Sequence, residues 1–169
     1  MGAEAPILKG KTMSFITKYG TDGTMRVIDK ITGAGVMFHP PEVVTATNVI
    51  DATESGRTFF LSSATEFVST LPAPKIGMRF TFIVTAAPSG ASYTIVTNGS
   101  ANIIKGQVYT LDVNSATDAD LETSGGDTIS FVDAKSVAGD RVELFCDGTN
   151  WFASGFCSVF DAITITTAS

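Results

Sequence analysis

The chain has 169 residues, 44% of them hydrophobic and only 17% charged, with a formal net charge of −6. A packed core is within reach of such a composition and a disordered chain is excluded by it. The acidic balance argues against nucleic-acid binding as the main activity, because gripping phosphates requires clustered Lys and Arg.

The charge is uneven along the chain. Residues 1–50 carry five Lys or Arg against four acids, whereas the rest carries six against thirteen. The N-terminal stretch Met1–Ile7 has no basic segment and no apolar run after it, so a secretory leader is not expected. "TMSFIT" and "TMRVIDKI" read as short strands separated by the turn chemistry of "KYGTDG". "ITGAGVMFHPPEVV" mixes glycines with Pro40 and Pro41, which lack an N–H and favour an extended path. No compact core is legible here, and residues 1–50 are expected to form an extended arm lying on a partner. Phe15, Ile16, Val36, Met37 and Phe38 are its candidate anchors.

From about residue 51 the rhythm changes to many short β-type runs, among them "RTFFLS", "EFVSTL", "MRFTFIVTA", "SYTIVT", "QVYTLDV", "DTISFV", "RVELFC" and "AITITT". Gly, Asn, Asp, Ser or Pro separates most of them. This predicts an all-β chain whose body, residues 51–169, is an antiparallel β-sandwich or barrel. The uncharged run from Phe80 to Ile104 is broken by Pro88, Gly90, Asn98, Gly99 and Asn102, so it reads as strands and turns and not as a membrane span. "ATDADLET" is the best helix candidate, and it is short and acidic.

Chemistry-bearing residues are sparse. His39 is the single histidine, and with Cys146 and Cys157 it gives too few soft ligands for a structural zinc. It reads as a turn or interface residue beside Pro40. Gly10-Lys11-Thr12 ends like a phosphate loop, but the glycine required five positions earlier is Ala5. Asp112, Asn114, Asp118, Asp120, Glu122 and Asp127 offer oxygen ligands for calcium, yet the glycine of an EF-hand turn is missing, and a solvated acidic loop is the expectation. No spacing singles out a carboxylate pair for glycoside cleavage. No enzyme activity, metal or cofactor is therefore expected.

The hairpin "GDRVELFCDGTNWFASG" is more informative. Asp147-Gly148 is a turn signal between two apolar runs. With a loop of two or four residues, Val142, Leu144, Cys146, Trp151 and Ala153 share the core face, while Arg141, Glu143, Phe145, Phe152, Ser154 and Phe156 share the other. A three-residue loop would instead turn Phe152 inward and expose Trp151 as a sugar-stacking platform. The four-residue register also separates the two cysteines along the ribbon, so both are expected as free, buried thiols.

Gly56 with Thr58-Phe-Phe-Leu61, Thr70-Leu-Pro-Ala-Pro74 with Gly77, and the Asp147-Gly-Thr-Asn-Trp151 hairpin together resemble a small β-domain of tailed-bacteriophage virion proteins. It occurs in fibre-like and capsid-decorating proteins, notably of marine and cyanobacterial phages, and the resemblance covers roughly residues 50–157. It implies a homotrimer and supplies no functional residues to carry over. In that setting Pro72 and Pro74 would end a strand, and Gly77 would supply the turn into "MRFTFIV". The expected function is a capsid decoration (cement) protein that stabilises the shell of major capsid protein by binding its outer surface through the N-terminal arm. It would be made in the host cytoplasm and reside on the virion, without nucleic-acid or membrane partners. Deleting residues 1–45 should then abolish binding. The alternative is a tail-fibre or receptor-binding module for host surface glycan, which requires exposed aromatic residues.

Overall fold

In a computed structural model of the chain, residues 39–111 and 122–167 are described in full, and residues 16–17, 26–28, 35–36 and 119–121 by their backbone. The chain divides into two units, 1–38 and 39–169. In the first, β1 (Ile16–Thr17), β2 (Arg26–Ile28) and β3 (Gly35–Val36) form an antiparallel sheet in that order.

The second unit contains twelve strands among its described residues. They are β4 (Glu42–Val44), β5 (Asn48–Val49), β6 (Thr58–Leu61), β7 (Phe67–Thr70), β8 (Arg79–Val84), β9 (Tyr93–Val96), β10 (Ile104–Thr110), β11 (Ala119–Gly126), β12 (Thr128–Phe131), β13 (Arg141–Cys146), β14 (Trp151–Cys157) and β15 (Ile163–Thr166). They build a seven-stranded sheet, β11-β10-β14-β13-β8-β6-β4, and a five-stranded sheet, β15-β12-β9-β7-β5. The two sheets pack together around one core, as in a β-sandwich.

The all-β class agrees with the sequence reading, but the pairing is mixed and not purely antiparallel. From β4 to β9 the chain changes sheet at every connection. Strands β4, β6 and β8 therefore lie side by side in parallel in one sheet, and β5, β7 and β9 do the same in the other. The chain winds three times around the core before it makes a hairpin. Period-2 alternation states which side chains point inward; it is silent on whether the next strand returns beside its predecessor or crosses to the facing sheet.

The winding also moves the boundary of the body. Residues 39–50, assigned by sequence to the arm, belong to the larger unit: β4 pairs with β6 and β5 with β7. Val44 and Ile50 lie in the core. A deletion through residue 45 would thus strip an edge strand, and the cut that spares the body falls after residue 38. The best helix candidate, "ATDADLET", is not helical over its last five residues, which lie in β11.

Alternation places the core as the sequence predicts. In β8, Phe80, Phe82 and Val84 are buried; in β15, Ile163 and Ile165 are. The crossing chain brings aromatic rings together: Phe59 stacks on Phe82 at 5.2 Å, and Phe67 on Tyr93 at 4.5 Å. Each such side chain contributes about 1.5–3 kcal/mol by burial. The Tyr93 hydroxyl donates to the Ser63 carbonyl (2.7 Å) and also approaches the Ala86 carbonyl (3.1 Å), tying together the loops that carry the chain between sheets. Gly77, at φ +84°, makes the turn into β8 as expected.

Candidate binding surface

The last hairpin has the four-residue loop, with Cys146 opposite Trp151. Asp147 closes it: its Oδ1 accepts from the amides of Thr149 and Asn150, both at 2.7 Å. These bonds, the Asn150 amide first, hold the Asp147 carboxyl below its ordinary value. Trp151 is 0% exposed and tilts against Phe80 at 5.6 Å. It is core filling, as the even loop requires, and offers no platform to a ligand.

The two thiols are free and buried. The Cys157 thiol donates to the Val159 carbonyl at 3.2 Å, and burial pushes its pKa up, with the Asp140 charge acting in the same direction. Asp140 is buried, and its carboxylate accepts from the Ser136 hydroxyl and the amides of Val137 and Ser158, at 2.9–3.0 Å. This carboxylate ties the segment before β13 to the end of β14.

Of the acidic stretch, Asp112, Asn114, Asp118 and the side chain of Asp120 lie outside the described residues. Glu122 turns back on its own chain, accepting from the amides of Ser124 and Gly125. Asp127 accepts from the Thr128 hydroxyl. Among the described residues no group of three His, Cys, Asp or Glu is placed to hold a metal. Of the five candidate anchors, Phe15, Met37 and Phe38 lie outside the described residues. Ile16 and Val36 are both registered on Val27, in one row across the small sheet.

The outward faces of the two large sheets differ sharply. On the five-stranded sheet, Thr128, Ser130, Thr94, Val96, Val68, Thr70, Val49, Thr164 and Thr166 point away from the core, and no charged residue stands among them. On the seven-stranded sheet, the outward row Lys105–Phe152–Phe145–Arg79 crosses β10, β14, β13 and β8. Beside it runs Gln107–Ser154–Glu143–Thr81, and beyond that Tyr109–Phe156–Arg141–Ile83. Tyr109, Phe145, Phe152 and Phe156 are 39–48% exposed. Tyr109 and Phe156 stack at 5.8 Å, and the Arg141 guanidinium lies 5.1 Å from the Phe156 ring centre.

Two open hollows flank this aromatic face. One, of about 240 Å³, lies at the end of β14 beside Leu111, Val137 and Phe156. The other, of about 260 Å³, is lined by Gly56, Arg79, Thr81, Glu143 and Phe145. Its charges are unusual. Nearby, Arg57 is neutralised by both Glu42 and Glu54, and burial, more than anything else, raises the Glu54 carboxyl above its ordinary value. Arg79 and Glu143, by contrast, form no ion pair among the described residues although they face the same hollow. His39 sits against Gly56 at the margin, its Nε2 buried and without a hydrogen-bond partner among the described residues.

Sequence alternation had already placed Arg141, Glu143, Phe145, Phe152, Ser154 and Phe156 on the outward face of the hairpin. It missed their neighbours Arg79, Thr81, Lys105 and Tyr109. The pattern of "RFTFIV" identifies Arg79 and Thr81 as outward, but only the strand order brings them beside Glu143 and Phe145. What the fold and surface define is a two-sheet β-domain with one aromatic, charged exterior and one uncharged exterior. No protein-family model matches the chain, and no curated protein matches it.

Proposed function

We propose that the chain is a virion structural protein without enzymatic activity, decorating the outer surface of a phage capsid as a homotrimer. The observation that carries this reading is the division into a small N-terminal unit, residues 1–38, and a body with a core of its own. In this reading the first unit is the part that engages major capsid protein. Ile16 and Val36, in one row with Val27, are its candidate anchors together with Phe15, Met37 and Phe38. Binding only to the assembled shell then stabilises that shell by mass action.

The phage-domain pattern of residues 50–157 supports the virion setting. The uncharged Thr/Ser/Val exterior of the five-stranded sheet supports self-association, since interface centres are depleted of charge. The test is co-sedimentation with shells assembled from major capsid protein. The full chain should bind, and a chain lacking residues 1–38 should stay folded and fail to bind. Retained binding by the shortened chain refutes the role given to the first unit. Light scattering should give a trimer, weakened by Val68→Lys on the uncharged face; a monomer at all concentrations refutes the assembly.

A further inference from the structure

The hollow over β8 and β13 brings opposite charges and an aromatic wall together, a feature that does not depend on the capsid reading. Arg79 and Glu143 are diagonal neighbours of opposite charge, the arrangement that ordinarily yields a cross-strand ion pair. Here they form no ion pair among the described residues and both line the open space, together with Thr81, the registered partner of Glu143. Phe145, registered opposite Arg79, supplies an apolar wall. Gly56, at φ +94°, forms the rim; a Cβ there would meet the His39 imidazole at 3.4 Å and the Arg79 Nε at 4.0 Å.

We propose that this hollow and the adjoining Phe152 form a carbohydrate-binding site. One neutral pyranose ring occupies the hollow, and the next units of the glycan lie across Phe152. A sugar hydroxyl both donates and accepts, so a vicinal diol can donate to the Glu143 carboxylate and accept from the Arg79 guanidinium at once. Its C–H face matches the phenyl rings, which a charged or purely polar ligand would leave uncovered. Within the hollow itself the charges of Arg79 and Glu143 balance, which suits a neutral ligand there. At about 260 Å³ the hollow falls just below the usual ligand-pocket range of roughly 300–1,000 Å³, so it suits one ring with its neighbours lying outside. From Arg79 to Lys105 the row spans three interstrand steps, about 14 Å, a track for a chain running across the strands. A second copy of this face is a poor occupant. Arg79, Arg141 and Lys105 outnumber Glu143, so two such faces would meet with like charge.

The experiment is a titration of the full-length protein, followed by amide proton–nitrogen spectra, with maltotriose, cellotriose, mannotriose and N,N′,N″-triacetylchitotriose in millimolar excess. At least one should give saturable shifts centred on Thr81, Glu143, Phe145 and Phe152. Phe145→Ala and Glu143→Gln should each weaken that binding by about tenfold or more, while Thr164→Ala on the opposite exterior leaves it unchanged. Both substituted side chains point outward, and an unaltered spectrum without sugar verifies the fold. If either variant misfolds, Arg79→Gln takes its place. Absence of saturable shifts with all four sugars overturns the proposal, as do shifts indifferent to the substitutions. Concentration-dependent shifts of the same amides without sugar would overturn it too, and assign the face to a second copy. None of these outcomes touches the shell-binding test, which removes residues 1–38 and leaves the hollow intact.

Discussion

Replacing Trp151 separates two properties that the structure gives to one side chain. The indole fills the core, 0% exposed, yet its Nε1 is buried without a hydrogen-bond partner among the described residues. Trp151→Ala should cost about 3–5 kcal/mol, since it removes the transfer energy and leaves a cavity beside Phe80. Trp151→Phe loses roughly 40 Å³, or ~1 kcal/mol of cavity cost. It also removes a buried donor whose unsatisfied state costs about 1–3 kcal/mol. The two terms offset each other, so the Phe variant should lie within about 1 kcal/mol of the parent. Urea unfolding followed by far-ultraviolet circular dichroism suits the comparison, because the fluorescence signal disappears with the indole. With a slope of about 2 kcal/mol per molar urea, the Ala variant should shift the midpoint by ~2 M and the Phe variant by ~0.5 M or less. A Phe variant as damaged as the Ala variant would mean that the N–H is bonded in solution. An Ala variant close to the parent would refute the placement of Trp151 in the core.

Gly106→Ala should break the parallel pairing of β10 with β14, because the new Cβ would stand 2.0 Å from the Ala153 carbonyl oxygen. Gly99→Ala, at φ +70° in open space, should cost only about 1 kcal/mol, and melting temperatures of the two variants compare them directly. The raised Cys157 pKa makes the neutral thiol the folded form. Its contribution is present below the ordinary thiol value of 9.0 and is lost as pH rises from there through the folded value, a slope that Cys157→Ala should remove from urea midpoints measured across that range. Asp147 has the opposite sign: its lowered pKa gives the hairpin a contribution present above the ordinary value of 3.8 and lost as pH falls through the folded value. Its carboxyl carbon should titrate below 3.8 by nuclear magnetic resonance, and a midpoint at or above 3.8 would contradict the loop hydrogen bonds.

What the sequence made legible was the inward or outward direction of side chains. In "RVELFCDGTNWFASG" alternation specifies the faces of the first strand, while the second strand depends on the loop length, and the four-residue loop of the structure places it as the even-loop reading expects. The order of strands was not legible. "TFFL" and "RFTF" lie side by side in parallel, with "FVST" between them in sequence but on the other sheet. Short loops containing Gly, Ser and Pro serve equally well for a hairpin and for a crossing between sheets, so nothing local distinguishes the two. The same gap hid the hollow. Arg79 and Glu143 are 64 positions apart, and each alone reads as an ordinary solvated charge. Residues 39–50 read as part of the N-terminal segment because Glu42–Val44 and Asn48–Val49 are too short to be recognisable as strands without their partners.

The two exteriors also act as a control on each other. Both sheets share one core and obey the same alternation, so folding places the same demand on each: apolar residues inward, anything soluble outward. The five-stranded sheet meets that demand with Thr, Ser and Val, β-forming residues without rings or charge, although Val49 stands 74% exposed. The seven-stranded sheet instead leaves four aromatic rings 39–48% exposed beside Arg79 and Glu143, which form no ion pair among the described residues. Neither the core nor strand propensity requires this, since Thr would serve both. Exchanging Phe145 and Phe152 for Thr should therefore leave the urea midpoint close to that of the parent while abolishing sugar-dependent shifts. A large loss of stability in that double variant would mean that the rings support the fold, and the argument from contrast between the faces would fail with it.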